Sequence, residues 1–199
     1  MRTKKALYNN ISAVILQIIT LVFGLILPRL KIGTYGSELN GLVSSSNQIF
    51  SYLKYLELGL TSALIYTLYQ PLAKMDYAQI NSKVARAKKE YSKISLLYFF
   101  GVILISLVYP LVLKEELGYG FVVSLIFFIG IYGALDFYSL SKYRVLLTAD
   151  QKQYVITLTT IITVILQNLT SIVLVLLKQP LHLIVIIPTL FLPIRSFIL

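Results

Sequence analysis

The sequence predicts an all-α membrane protein, a polytopic bundle of about six transmembrane helices. Of its 199 residues, 57% are hydrophobic and 13% are charged, whereas about 25% are charged in an ordinary soluble domain. The apolar residues also form runs of about 20, the length that crosses the hydrocarbon core of a bilayer. A soluble domain of this size has too small an interior to hide that much apolar surface.

The apolar runs define the expected helices in order. They cover residues 9–30, 41–70, 94–113, 119–146, 153–177 and 182–199. The first exceeds the roughly 7–15 apolar residues of a signal peptide, so we expect a retained helix that ends near Pro28. The second and fourth are longer than a bilayer requires, so these helices tilt or project. The last run has no polar tail, and we expect residues 1–199 to form an N-terminal lobe interrupted within its sixth span.

The basic residues predict the orientation of the bundle. If the N-terminus is cytoplasmic and each run crosses once, twelve Lys and Arg residues lie inside and four lie outside. This bias follows the positive-inside rule. Half of the inside charges fall in residues 71–93, a polar segment with a helical pattern. That segment either serves topology alone or contacts anionic lipid headgroups.

The second helix has ionisable side chains at membrane depth. Lys54 and Glu57 lie three residues apart on one side of a helix, and a charge at the bilayer centre costs about 2.5–3.5 kcal/mol. We expect a polar side to line a cavity and an aliphatic side to face lipid. The polar side comprises Ser44, Asn47, Ser51, Lys54 and Thr61, and the aliphatic side comprises Ile49, Leu53, Leu56, Leu60 and Leu64. An alternative is that Lys54 and Glu57 only neutralise each other.

Three other helices repeat the two-sided pattern. Polar groups on such helices either face one another around a hydrated space or form hydrogen bonds that hold a bundle together. The second interpretation is favoured for the threonine-rich fifth helix, whereas the cost of burying Lys54, Glu57 and Asp136 favours a functional role. The stripes are Asn10, Gln17, Thr20 and Gly24; Tyr132, Asp136, Ser139 and Tyr143; and Thr160, Thr163, Gln167 and Ser171.

Catalytic motifs are missing from the sequence. It contains no glycine-rich phosphate loop, no GxSxG or HExxH motif and no cysteine, so we predict no enzyme activity, no cofactor and no metal. The single histidine, His182, is expected to pack rather than to act as a ligand. A net charge of +10 does not predict a nucleic-acid partner, because the basic residues fall between apolar runs.

Several short pieces of the chain together carry a family resemblance. The pieces are Pro28-Arg29, Tyr35-Gly36 with Glu38, Asn40-Gly41-Leu42, Glu57-Leu58-Gly59 and Leu68-Tyr69-Gln70-Pro71-Leu72-Ala73. With this set the chain resembles bacterial polysaccharide flippases, the Wzx-type branch of the multidrug/oligosaccharidyl-lipid/polysaccharide exporter superfamily. One further stretch, YRVLLTADQKQYV at residues 143–155, looks like the connection between the fourth and fifth helices of that family.

The resemblance implies a protein of the bacterial cytoplasmic membrane with two helical lobes around a central cavity and alternating access. Such proteins carry undecaprenyl-pyrophosphate-linked sugar units to the outer leaflet. Family members have about twelve to fourteen spans. This sequence therefore corresponds to the first lobe, and it is expected to need a C-terminal lobe or a second subunit.

The resemblance and the chemistry of the ligand suggest site residues. A pyrophosphate headgroup needs cations in a polar interior, so Arg29 and Lys54, together with Asn47 and Gln17, are candidates for substrate binding. Glu57 and Asp136 are candidates for coupling transport to an ion gradient. Tyrosines such as Tyr52, Tyr55, Tyr66 and Tyr132 are candidates for stacking on sugar rings, although most of the 15 tyrosines are expected to anchor at the interface or to pack.

Three other functions stay open. A drug/cation antiporter of the same superfamily is expected to have an acidic cavity. A membrane polymerase or glycosyltransferase generally needs a sizeable loop outside the membrane, whereas the loops here are short. A non-transporting fragment is the third possibility.

Overall fold

The computed structural model describes residues 2–112 and 118–192. Within these ranges every regular element is helical, and four helices are long and apolar enough to cross a membrane. The prediction of an all-α membrane protein is confirmed, while the number of six crossings stays a prediction. The elements are α1 (Arg2–Leu53), a 3-10 helix (Lys54–Glu57), α2 (Leu58–Lys74), α3 (Tyr77–Val112), α4 (Tyr119–Ala149), α5 (Gln153–Leu176) and α6 (Leu181–Thr189).

The first element is two helices joined at Gly36. There φ is +87° and ψ is 165°, a backbone conformation that only glycine adopts without strain. The predicted end near Pro28 is wrong, because the helix continues through this proline to Gly36. Membrane helices tolerate such prolines because local adjustments satisfy the freed backbone groups.

The other helix boundaries agree with the expected runs at some positions and differ at others. The helices α4 and α5 begin at the predicted residues 119 and 153. The polar segment 71–93 is not a separate unit, because the helix from Tyr77 continues into the third apolar run. The helices α2 and α6 have 17 and 9 residues, fewer than the roughly 20 needed for a crossing. Most of the expected connection at 114–118, and the last span beyond residue 192, lie outside the described residues.

Long-range contacts define two ends of the bundle. At what we call the near end, the Lys5 ammonium donates to the side chain and carbonyl of Asp150 in the α4–α5 turn. At the opposite, far end, the Tyr35 hydroxyl donates to the carbonyl of Gln179. The first part of α1 therefore runs parallel to α5, which is its main packing partner.

Residues 37–74, which we call the return segment, run back to the near end. The Tyr109 hydroxyl donates to Ser45 at 2.9 Å, and the hydroxyls of Thr61 and Tyr91 are 2.6 Å apart. The segment is therefore antiparallel to α3. The alternating directions agree with the predicted order, and the assignment of the near end to the cytoplasm stays a prediction.

The near end is held together by a small polar cluster. Asp150 accepts from Lys5 at 2.9 Å and lies 2.7 Å from the ammonium of Lys152. Burial alone would raise the pKa of Asp150, but the hydrogen bonds from Lys152 and Lys5 outweigh it and hold this pKa below its ordinary value. The same pairing raises the pKa of Lys152.

Asn9 caps α5 from a different helix. Its side-chain oxygen accepts from the Tyr154 amide at 2.7 Å, and its amide group donates to the Gln151 carbonyl at 3.1 Å. The N-cap residue of α5, Lys152, makes no capping hydrogen bond through its side chain. An α1 side chain thus satisfies a backbone donor that the first turn of a helix leaves without an intrahelical partner.

We expect the Asn9→Ala substitution to lower the free energy of unfolding by about 1 kcal/mol, the usual cost of losing a cap. Thermal unfolding in detergent measures the change. Asn10 is the matched control, because it is exposed and has no hydrogen-bond partner among the described residues. An equal loss for Asn10→Ala would contradict the capping role.

Candidate functional site

The return segment presents a polar surface to its surroundings. We call this surface the polar face. The exposed large hydrophobic side chains of the return segment are tyrosines, and in the described part of residues 37–74 no leucine, isoleucine, valine or phenylalanine is exposed. The polar face consists of Ser44, Asn47, Gln48, Ser51, Tyr52, Lys54 and Tyr55.

The outer surfaces of the neighbouring helices are aliphatic. Leu25 of α1 is 71% exposed, Leu104 of α3 is 63% exposed and Leu176 of α5 is 65% exposed. Such surfaces suit hydrocarbon, whereas polar and ionisable groups in a membrane normally face protein or a water-filled cavity. The polar face therefore differs from the rest of the bundle in the surroundings that it requires.

The aliphatic side of the return segment packs inward. Phe50, Leu64 and Leu68 are buried, and the Phe50 ring lies 6.4 Å from that of Tyr98 in α3. The expectation that this side faces lipid is wrong, because it forms part of the core with α3 and α4. The side chain of Leu56, which belonged to that expectation, lies outside the described residues.

The 3-10 helix interrupts the return segment and has an ionisable residue at each end. Lys54 at its start is exposed on the polar face, whereas Glu57 at its end is buried. The proposed neutralisation of Lys54 by Glu57 does not occur, and Lys54 has no ion-pair or hydrogen-bond partner among the described residues. Short 3-10 stretches inside helices often mark hinges.

Arg144 joins the two carboxylates that the sequence marked. Its Nη1 donates to Glu57 Oε1 and Oε2 at 3.1 and 3.3 Å, and its Nη2 donates to Asp136 Oδ2 at 3.1 Å. The side chains of Glu57, Asp136 and Arg144 are 12%, 14% and 27% exposed. One guanidinium thus connects the 3-10 helix to two positions on α4.

Two hydroxyl groups extend this ionic cluster. The Thr61 hydroxyl lies 3.2 Å from Glu57 Oε1 and 2.6 Å from the hydroxyl of Tyr91, a fully buried residue of α3. We call the five residues, Glu57, Thr61, Tyr91, Asp136 and Arg144, the charged network. It fastens the interrupted part of the return segment to both α3 and α4.

The charged network holds the 3-10 helix against α3 and α4, and its carboxylates are already paired rather than open to an ion. Charge-assisted hydrogen bonds are about twice as strong as neutral ones, and a buried pair that loses one partner leaves an uncompensated charge. A cation would have to compete with Arg144 for either carboxylate. Among the described residues no group of three or more His, Cys, Asp or Glu side chains is placed to hold a metal ion.

The four predicted substrate-binding residues are all exposed, but they lie on two different parts of the bundle. Lys54 and Asn47 share the polar face, whereas Gln17 and Arg29 lie on the first part of α1. Asn47 donates to the Val43 carbonyl of its own helix. No hydrogen bond or ion pair joins any two of the four within the described ranges.

The polar stripe of α5 does not contribute to the polar face. Thr163 and Ser171 are buried, and the hydroxyls of Thr160 and Thr163 donate to carbonyls one turn earlier in the same helix. These bonds are intrahelical rather than the expected interhelical ones. His182 packs as expected, with its Nε2 2.8 Å from the Ser124 hydroxyl and its ring against Phe121.

Sequence reasoning missed Arg144 and Tyr91. Arg144 was counted only among the inside charges at the end of the fourth span, although its spacing of eight residues from Asp136 is close to two helical turns. Tyr91 lies on the buried side of α3, which continues at Ala87, Ser95 and Tyr98. The spacing of these residues in steps of three and four was the available signal for Tyr91.

Comparison with family models, with curated proteins and with solved structures finds no significant match to this chain. The resemblance to polysaccharide flippases therefore stays a prediction. What the chain itself supports is a multi-pass helical membrane protein. Its function has to be argued from the polar face and the charged network.

Proposed function

We propose that the chain belongs to a membrane transporter whose polar face lines a hydrated path for a lipid-linked oligosaccharide. The observation that carries the proposal is the orientation of the return segment, which buries its aliphatic side and exposes its polar side. A helix that faces lipid has the opposite orientation. An exposed polar side would be unfavourable against hydrocarbon. A second lobe or subunit on the other side of the path would provide the remaining wall.

The chemistry of the polar face favours an anionic saccharide as cargo. Lys54 offers an ammonium that has no partner in the described part of the chain, which suits the phosphate groups of a pyrophosphate-linked substrate. Tyr52 and Tyr55, with ring centroids 6.1 Å apart, offer aromatic surface to sugar rings. Asn47 and Ser51 belong to the same face, and Arg29 is a further exposed cation on α1.

The charged network gives the proposed transporter a way to change shape. Arg144 holds the 3-10 helix against α4, so a change in its pairing would release the part of the return segment that carries Lys54. Glu57 and Asp136 keep their proposed role in ion coupling, with the difference that an ion or proton would act by competing with Arg144. We place the protein in the bacterial cytoplasmic membrane with its near end inside.

The Lys54→Glu substitution tests the path. We expect at least about a ten-fold loss of exported surface polysaccharide in a strain that lacks the gene and is complemented with the variant, because a hydrogen bond to a charged group contributes about 1.5–3 kcal/mol. Lys54→Arg is expected to retain export, since it keeps the charge. Immunoblots of membranes establish that the variants are present at equal levels.

Lys89→Glu is the matched control, since Lys89 is exposed outside the polar face. Unchanged export in the Lys54→Glu strain would refute the proposed path. If loss of the gene itself leaves export unchanged, the chain is a non-transporting fragment. If instead it abolishes efflux of cationic dyes, the protein is a drug/cation antiporter.

A further inference from the structure

A second polar site lies at the near end, in a cleft between the last turns of α2 and the first turns of α3. Its volume is about 340 Å³. Two residues, Tyr66 and Tyr69, form one wall, with ring centroids 6.2 Å apart and planes at 81°. Gln70, Gln79 and Lys83 supply the polar part of the lining.

Lys83 is the charged group of the cleft. Its side chain is half-buried, and among the described residues its ammonium has no ion-pair or hydrogen-bond partner. The two acidic residues nearby in sequence pair with residues other than Lys83. Asp76 accepts from the backbone and side chain of Gln79 at 3.0 and 2.8 Å, and Glu90 pairs with Lys93 at 3.0 Å.

The surrounding surface is basic. The segment from the end of α2 through the first half of α3 has six cations, and a cluster of this density next to a membrane attracts anionic lipid. The cations of this segment are Lys74, Lys83, Arg86, Lys88, Lys89 and Lys93.

The cleft lies close to the level at which the bundle meets water. The helix α3 has 36 residues, whereas about 20 cross the hydrocarbon core, so its polar first half extends into the headgroup region. Tyr66 and Tyr77 are 76% and 71% exposed. Exposed tyrosines of this kind sit preferentially among headgroups.

We propose that this cleft binds the phosphate-bearing headgroup of an anionic membrane lipid. Lys83 pairs with the phosphate, Gln70 donates to headgroup oxygens, and the Tyr66–Tyr69 wall contacts the glycerol and the first methylene groups. The site is separate from the polar face, and it stands whether or not the chain transports a saccharide.

Binding of short-chain lipids to the full chain in neutral detergent tests the site. Native mass spectrometry compares dioctanoyl phosphatidylglycerol with dioctanoyl phosphatidylcholine at equal concentrations. We expect the wild type to prefer phosphatidylglycerol and Lys83→Gln to lower its binding about ten-fold, the effect of losing one hydrogen bond to a charged group. Gln70→Ala is expected to weaken it as well without any change in charge.

The control is Lys88→Gln, which removes an exposed lysine from the same helix outside the cleft. Equal losses for Lys83→Gln and Lys88→Gln would show a diffuse basic surface and overturn the site. Equal binding of phosphatidylcholine by the wild type would also overturn it, as would displacement of the lipid by an equal concentration of inorganic phosphate. Circular dichroism checks that each variant is folded. If Lys83→Gln does not fold, the binding of phosphatidylglycerol by Gln70→Ala decides whether the cleft is the lipid site.

Discussion

Replacing Arg144 with glutamine is expected to lower the free energy of unfolding by about 3–5 kcal/mol. The substitution leaves the largely buried carboxylates of Glu57 and Asp136 without the guanidinium that bridges them at 3.1 Å on each side. A buried charge that has lost its partner retains its full desolvation penalty. The loss should be visible as a lower unfolding temperature in detergent and a lower level of protein in the membrane.

Two comparisons separate the charged network from a general effect of losing a cation. Arg86→Gln removes an exposed arginine without a partner among the described residues, and it should leave stability within about 0.5 kcal/mol of the wild type. The triple variant Glu57→Gln, Asp136→Asn and Arg144→Gln has no charge left to bury, and it should regain most of the stability. A triple variant as unstable as Arg144→Gln alone would contradict the electrostatic explanation.

The Arg144→Lys substitution should lower the free energy of unfolding, but by less than Arg144→Gln does. Lysine keeps the charge but not the planar fork that bonds both carboxylates at once. The double-mutant cycle of Arg144 with Glu57, and a second cycle with Asp136, would divide the coupling energy between the two pairs. A coupling near zero in both cycles would mean that the ionic contacts contribute nothing to holding the 3-10 helix.

Replacing Gly130 with valine is expected to destabilise the fold by about 1–3 kcal/mol through overpacking. A Cβ atom at this position would lie 2.6 Å from Phe50 and 2.7 Å from Val102, distances that force the α3–α4 contact or the return segment to move. The same contact depends on Gly133, where a Cβ would collide with the hydroxyl end of Tyr98. Unfolding in detergent again measures the effect.

The helix α4 provides a control for Gly130. Gly120 is exposed, and a Cβ there has no neighbour within 4 Å. Gly120→Ala should therefore leave stability unchanged or raise it by up to about 1 kcal/mol, since alanine is the better helix former. If Gly130→Ala behaves like Gly120→Ala, then α3 and α4 are not packed as closely as described.

Hydropathy predicted where the helices lie but not how they are interrupted. The starts of α4 and α5 were correct because charged and turn-forming residues precede each apolar run. The predicted end of the first helix near Pro28 was wrong because the helix accommodates this proline. The break occurs at Gly36, a single residue with an unusual backbone conformation. No average over a window of residues detects a single torsion angle.

The candidate site was predictable only in part. Glu57 and Asp136 stood out because carboxylates are rare in apolar runs, and both belong to the charged network. Their partner Arg144 was hidden by its position at the end of a span, where a cation needs no special explanation. The burial of Glu57 depends on its contact with Arg144 of α4, and the spacing of residues within one helix cannot represent a contact with another helix.

The pairing of α1 with α5 has a consequence for the order of events during synthesis. The hydrogen bond from Lys5 to Asp150 joins residues 145 positions apart. At about 5–20 residues per second, α1 leaves the ribosome some 7–30 seconds before its main partner does. During that interval it has to remain in the bilayer as an unaccompanied helix, for which its aliphatic surface is well suited. Lys5 and Asn9 lie near its tip, where water can satisfy them until the α4–α5 turn arrives.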